Sequence, residues 1–322
     1  MSNDLREHIK EHMPYIDEIL AEQNIPIPER FFSAGRLFVE IAVMDSTFES
    51  KKELLESEVY QECVLPLFND WYFEKYGDLA KVSGKDVSSG IVVVYGKLVA
   101  VKIPATTIEV LEEGKLARMT FPDHLQESEK IEALIQPKFD IAKMDESSIE
   151  ELRDQVAKVV ALTRSINLDL NMVSNLIQPA LAMAKGIWSH FEKGILDILT
   201  LQSERASIAC LEIHLAIEKS LKVLIYSKTG ELKKEQKNHD LKGLIKFLEN
   251  YENGIDSSKL SNLPSNKDAI KLRYAEIIKE PIDAFRYYLI ALEFVRDVVS
   301  RLEHELRIKN ASVTIKMAPW AR

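Results

Sequence analysis

Apolar positions recur at helical spacing through the first 80 residues. Leu5, Ile9, Ile16, Ile19 and Leu20 share one face, with acidic residues opposite, until Pro26 and Pro28 interrupt the pattern. Further helical patterns cover residues 33–44, residues 51–60 and the aromatic-rich run LPLFNDWYFEKYG, which Gly77 closes. Between residues 84 and 121 the period drops to two. This stretch is dense in β-branched residues and is punctuated by Tyr95-Gly96-Lys97 and Glu113-Gly114. At its end Leu116, Arg118 and Thr120 alternate with Ala117, Met119 and Phe121. The pattern predicts a small antiparallel meander of three or four strands. So small a sheet needs the preceding helices to cover it, so residues 1–143 are expected to form an α+β domain.

Residues 144–178 predict one long connecting helix. Ser148 and Glu151 have the spacing of a capping box, and Pro179 ends the pattern. Ile149, Leu152, Val156, Val159, Thr163, Ile166, Leu170, Val173 and Ile177 follow at steps of three and four. At about 1.5 Å per residue the helix is on the order of 45 Å long, enough to join two domains, lie along a partner helix or enter a bundle. Residues 179–311 then hold four helical segments, predicting an up-down four-helix bundle. In the second segment Cys210, Ile213, Ile217, Leu221 and Leu224 form an apolar stripe, with Glu218 and Lys222 assigned to a polar face. The last segment has two stripes, one through Ile282, Phe285, Leu289, Leu292, Val299, Leu302 and Leu306, the other adding Tyr288, Ala291, Phe294 and Val298. An arc that wide exceeds one core face and predicts a homodimer through the last helix. Residues 312–322 read as a tail. The fold class expected is mostly α.

The chain has 322 residues and a formal net charge of −9. Residues 201–322 hold 21 basic and 17 acidic residues, a balance of +4, which leaves −13 for the rest. The acidic front repels polyanions, while the back third permits contact with nucleic acid. Cys63 and Cys210 stand far apart inside apolar helical patterns, so two buried core thiols are expected, with no disulfide framework and no zinc ribbon. The N-terminus lacks the apolar core of a signal peptide, and no run suits a membrane span. These features predict a cytoplasmic protein.

The run ACLEIHLAIEKSLKVLIYSKTG, then NHDLKGLIKFLE, then LRY ahead of a long amphipathic helix resembles a HEPN domain. The residues that carry the likeness are Ala216, Glu218, Lys219, Leu221 and Lys222, followed by His239, Asp240 and Leu241. The resemblance covers about 130 residues and implies a bundle of four or five helices that binds nucleotide or RNA, in a prokaryotic-type defence or toxin–antitoxin setting. Members that cleave RNA carry an Arg and a His four to six residues apart at the start of the last helix. Here Arg286 has no histidine in that window. Because such a pair stabilises the phosphorane and moves a proton, the departure favours a non-catalytic binding or interaction module. The alternative is a ribonuclease using an atypical histidine, with His304 and Arg301, or His239, as candidates. A third reading is a structural scaffold, and the N-terminal domain is free to take a protein partner.

Anion-binding candidates come from the residues themselves. Lys233, Lys234 and Lys237 lie in a basic loop beside His239 at an expected helix start, where free N–H groups and the helix dipole favour anions. The bland alternative is a solvated loop in which His239 or Asn238 caps the third helix of the bundle. Arg273, just before the last helix, is the next candidate. His8 and His12 share a helix face without an accompanying zinc motif, so no metal and no cofactor are expected. The sequence contains no glycine-rich phosphate loop and no nucleophile elbow.

Overall fold

A computed structural model of the chain describes residues 2–81, 87–174, 176–237, 239–274, 276–304, 306 and 308–316. In chain order it contains α1 (Ser2–Glu22), α2 (Ile27–Ala42), α3 (Lys51–Glu56), a π turn (Tyr60–Val64) and α4 (Leu65–Tyr76). Strands β1 (Val87–Val94), β2 (Lys97–Pro104), β3 (Thr107–Glu112) and β4 (Leu116–Thr120) follow, then the single turn α5 (Ile131–Leu134) and β5 (Ile135–Gln136). The remainder is α6 (Glu146–Asn171), α7 (Ala180–Leu199), α8 (Ser203–Thr229), α9 (Leu241–Leu248), α10 (Asn266–Arg273), α11 (Pro281–Val299) and β6 (Ser312–Lys316). No helix among the described residues is long and apolar enough to cross a membrane. The chain is mostly helical, as expected.

The chain divides into two compact units. Unit 1 takes residues 1–85, 108–119 and 313–322, and unit 2 takes 86–107 and 120–312. The expected single meander therefore does not form. The strands sort into two three-stranded sheets, ordered β1-β2-β5 and β3-β4-β6. A strand also forms where the sequence reads as a tail. A third strand, from residues 135–136 and from residues 312–316, joins each hairpin, since an isolated two-stranded hairpin is only marginally stable.

In unit 1 the core joins Ile9, Met13 and Ile16 of α1 to Phe38 and Val39 of α2 and to Phe68 and Tyr72 of α4. The first helix stops at Glu22, ahead of Pro26 and Pro28, as expected, and Pro28 opens the next one. It stands in the first turn of α2, where no N–H is needed. Gly77 caps α4 at φ 55°, as its position implies. Cys63, expected in a core, is exposed on the π turn, and Cys210 is buried.

In unit 2 the β1–β2 hairpin turns through Tyr95 and Gly96, both with positive φ, the conformation that matches strand twist in two-residue loops. One face of the hairpin gives Val92, Val101 and Ile103 to a cluster with Val156, Val159 and Val160 of α6. Ile91 and Leu98 enter the main core with α7, α8 and α11. Helix α6 is thus a packed member of this unit, with Thr163 fully buried and Arg164 1% exposed. The Arg164 guanidinium binds Glu129 in a fork (2.7 and 2.8 Å) and reaches the carbonyls of His124 and Pro104, which satisfies a buried charge. The expected capping box on Ser148 is replaced by Asp145, whose carboxylate accepts from the Ser148 N–H at 2.9 Å. The helix ends at Asn171, short of Pro179. The expected partition at 143 and 178 therefore gives way to units that share the 1–143 stretch.

Candidate functional site

Helix α8 is central to unit 2. Cys210, Ile213, Ile217, Leu221 and Leu224 are all at or below 1% exposure, and Ala216 and Val223, off that stripe, are fully buried. It closes at Gly230, which adopts φ 76°. Polar residues on such a helix must find partners within the fold. Glu218 and Lys222, expected on a solvated face, are 5% and 7% exposed. Glu218 accepts from Lys222 Nζ at 2.7 Å and from His239 Nδ1 at 2.8 Å. Glu212, six residues earlier, accepts from His190 Nδ1 at 2.6 Å and from Lys193 Nζ, both on α7. Burial pushes the Glu212 carboxyl up, but the bonds from Lys193 and His190 outweigh it and hold the group below the ordinary glutamate range.

Of these, Lys193, Glu212 and His239 line a cavity of about 430 Å³, with Ile208, Leu211, His214, Leu215, Ala269 and Arg273. His214 is 3% exposed and neither ring nitrogen makes a hydrogen bond among the described residues, although the backbone of His239 and Pro264 lies near. Burial lowers its pKa, so the ring is neutral. Arg273, the last residue of α10, makes no ion pair among the described residues; its guanidinium stands 5.9 Å from the centre of the Tyr274 ring. The capping box of Ser265 and Asp268 fixes the start of α10 and hence the place of Arg273.

Two of the expected anion-binding residues, His239 and Arg273, are thus brought to one cavity. Lys233 and Lys234 are exposed at a 3-10 turn and do not line it, while the Lys237 side chain and Asn238 lie outside the described residues. Asp240, not His239, is the N-cap of α9. Its carboxylate stands over the first turn, 2.7 Å from where a Cβ on Gly243 would be, so the positive helix end already faces a carboxylate.

The alternative catalytic pair does not assemble. The last helix stops at Val299, and neither Arg301 nor His304 belongs to it. The Ser300 hydroxyl bonds back to the Asp297 carbonyl, and Arg301 turns to the carbonyls of Asn253 and Gly254 and to Asp297. His304 instead bridges Val173, with its Nε2 3.6 Å from Asp169 Oδ1. Arg286 is exposed and pairs with Asp283 at 3.0 Å. Much of the apolar arc of the last helix is used internally, since Phe285, Tyr288, Ala291, Leu292, Phe294, Val295 and Val298 are buried within unit 2, while Ile282 and Leu306 stay exposed. No group of three or more His, Cys, Asp or Glu residues suited to a metal ion occurs among the described residues.

Residues 198–304 match the family model of the HEPN domain. This part of the chain is a HEPN domain. It spans α8 to α11, so the α8 cavity lies inside it apart from Lys193, which α7 contributes. No match is found among curated proteins or among solved structures. Sequence reasoning missed Lys193, His190, Glu212 and His214. The available signal was Glu212 and His214 set inside the apolar run ACLEIHLAI, where a charge needs a partner.

Proposed function

We propose that the HEPN domain binds a nucleoside phosphate, free or at the end of an RNA chain, in the α8 cavity. The observation that carries this reading is the gathering of Lys193, His239 and Arg273 around one cavity with an apolar wall of Ile208, Leu211 and Leu215. Its lining carboxylate, Glu212, is paired with Lys193 and bonded by His190, which leaves Arg273 as the lining cation without an ion pair among the described residues. The volume suits a small ligand, with the base on the apolar wall and the phosphate towards Arg273. Arg286 lacks a histidine at the family's spacing, so the reading is one of binding and not cleavage.

Titration of the full chain with ATP, GTP and a labelled oligoribonucleotide tests this. Arg273→Gln is expected to weaken binding roughly tenfold, the size of one lost charge-assisted hydrogen bond. Lys233 and Lys234, exposed beside His239 in sequence, are assigned to the continuing strand. Replacing both by Glu therefore weakens the oligoribonucleotide and leaves mononucleotides unchanged. Affinity falls with salt only shallowly, because few phosphates are neutralised. Absence of binding by every probe rejects the proposal. Degradation of the oligoribonucleotide that disappears in His239→Ala favours the ribonuclease alternative.

A further inference from the structure

Helix α8 carries most of its charges in pairs. Arg205 meets Asp197 at 3.3 Å, and Lys228 meets Glu252 at 2.7 Å. Between them Glu212 is held by Lys193 and His190, and Glu218 by Lys222 and His239. One lysine in this stretch is left over. Lys219 is half-buried, yet it makes no ion pair or hydrogen bond among the described residues.

Its place on the helix is specific. Ile208, Leu215 and Lys219 follow at steps of seven and four, so Lys219 continues the face of α8 that lines the cavity, one turn or about 6 Å beyond Leu215. On α7, Gly186, His190 and Lys193 recur at steps of four and three and share the face that meets α8 here. The Lys219 ammonium rests on α7 at Gly186, 2.4 Å from where a Cβ would stand. Glycine weakens a helix interior, and the room it leaves at this position is taken by the ammonium. Both carboxylates of this stretch, Glu212 and Glu218, already have two basic partners each, so the Lys219 charge is open to an anion from outside.

We propose that Lys219 binds a second phosphate of the ligand, so that the site selects nucleotides with two or more phosphates over monophosphates. This inference rests on the nucleotide reading above, in which Arg273 meets the first phosphate. A lysine suits the outer position because its ammonium is a compact point charge with three donors on a flexible stem.

Calorimetric titration of the full chain with AMP and ATP, in buffer free of divalent cations, tests this. ATP is expected to bind roughly tenfold more tightly than AMP. Lys219→Gln removes that advantage and leaves AMP unchanged, the loss of one charge-assisted contact. Gly186→Ala displaces the ammonium, which is the far end of a flexible side chain, so it should weaken ATP without lowering the melting temperature. In the Lys219→Gln background Gly186→Ala should have no further effect on ATP. Equal binding of AMP and ATP by the parent chain, or an ATP-to-AMP ratio that Lys219→Gln leaves intact, overturns this proposal while the nucleotide reading stands. Failure of both nucleotides to bind the parent chain overturns both.

Discussion

Asp17 shows how a single buried charge governs part of unit 1. Burial pushes its carboxyl up, yet hydrogen bonds from Lys75, Tyr76 and Arg30 prevail and hold it at about 2. A carboxylate depressed in the folded state contributes stability above its unfolded value, and that contribution is lost as pH falls through the folded one. Unit 1 is therefore expected to lose stability between about pH 4 and pH 2, and Asp17→Asn should flatten that limb in urea titrations followed by tryptophan fluorescence. Trp71, on α4 beside Lys75, is the reporter. Gly35 sets a steric limit in the same unit. Gly35→Ala places a Cβ 2.2 Å from the Tyr60 hydroxyl and should cost about 1–3 kcal/mol of stability. Combining it with Tyr60→Phe removes the clashing oxygen, so the two changes should be non-additive in a double-mutant cycle. Additivity would show that the clash is relieved elsewhere.

At the scale of elements, α11 carries more apolar surface than one packed face. Its wide apolar arc reads as a core face plus a subunit face; α6, α7 and α8 of the same unit cover most of it, and Ile282 and Leu306 of the first stripe stay exposed. Leu292→Ala should cost about 2–5 kcal/mol, as for a fully buried leucine. Ile282→Glu, at a site 37% exposed, should change the denaturation midpoint by less than about 0.5 kcal/mol equivalent. A large loss on Ile282→Glu, with a change in sedimentation, would instead reveal a partner on this face. Helix α6 shows the same economy. Its apolar series was equally compatible with a connector or a bundle member, and the buried fork between Arg164 and Glu129 ties it into unit 2.

At the scale of the molecule, the chain passes between the two units four times, near residues 85, 107, 119 and 312. Neither unit is a continuous segment, so cutting at residue 143 or 178 yields no complete unit. A chain ending at Ala311 loses β6 and turns the central strand β4 of its sheet into an edge. It also loses Lys316, which pairs with Glu58 and Glu62. Limited proteolysis of that shorter chain is expected to cut within residues 1–81 sooner than in the parent, while residues 120–311 stay protected. Equal cleavage rates would show that unit 1 does not depend on its last strand.

The sequence by itself determined what is local. The 3.6-residue period places the main helices, the change to period two marks the strands, and the run from Ala216 to Lys222 with His239-Asp240-Leu241 marks the HEPN domain. Gly77 and the Tyr95-Gly96 turn were legible because backbone handedness constrains the residue type directly. Only the tertiary structure decided which strands pair, since β5 has two residues and leaves no periodic trace. It also decided that Cys63 is exposed, that Glu218 is buried, and that His239 reaches it across 21 positions of chain. The candidate site was half legible: His239 and Arg273 could be named, whereas Lys193 and Glu212 could not be linked. Periodicity reports which face of an element is apolar, but pairing of buried charges depends on which other element arrives opposite, and that is fixed by packing of the whole unit.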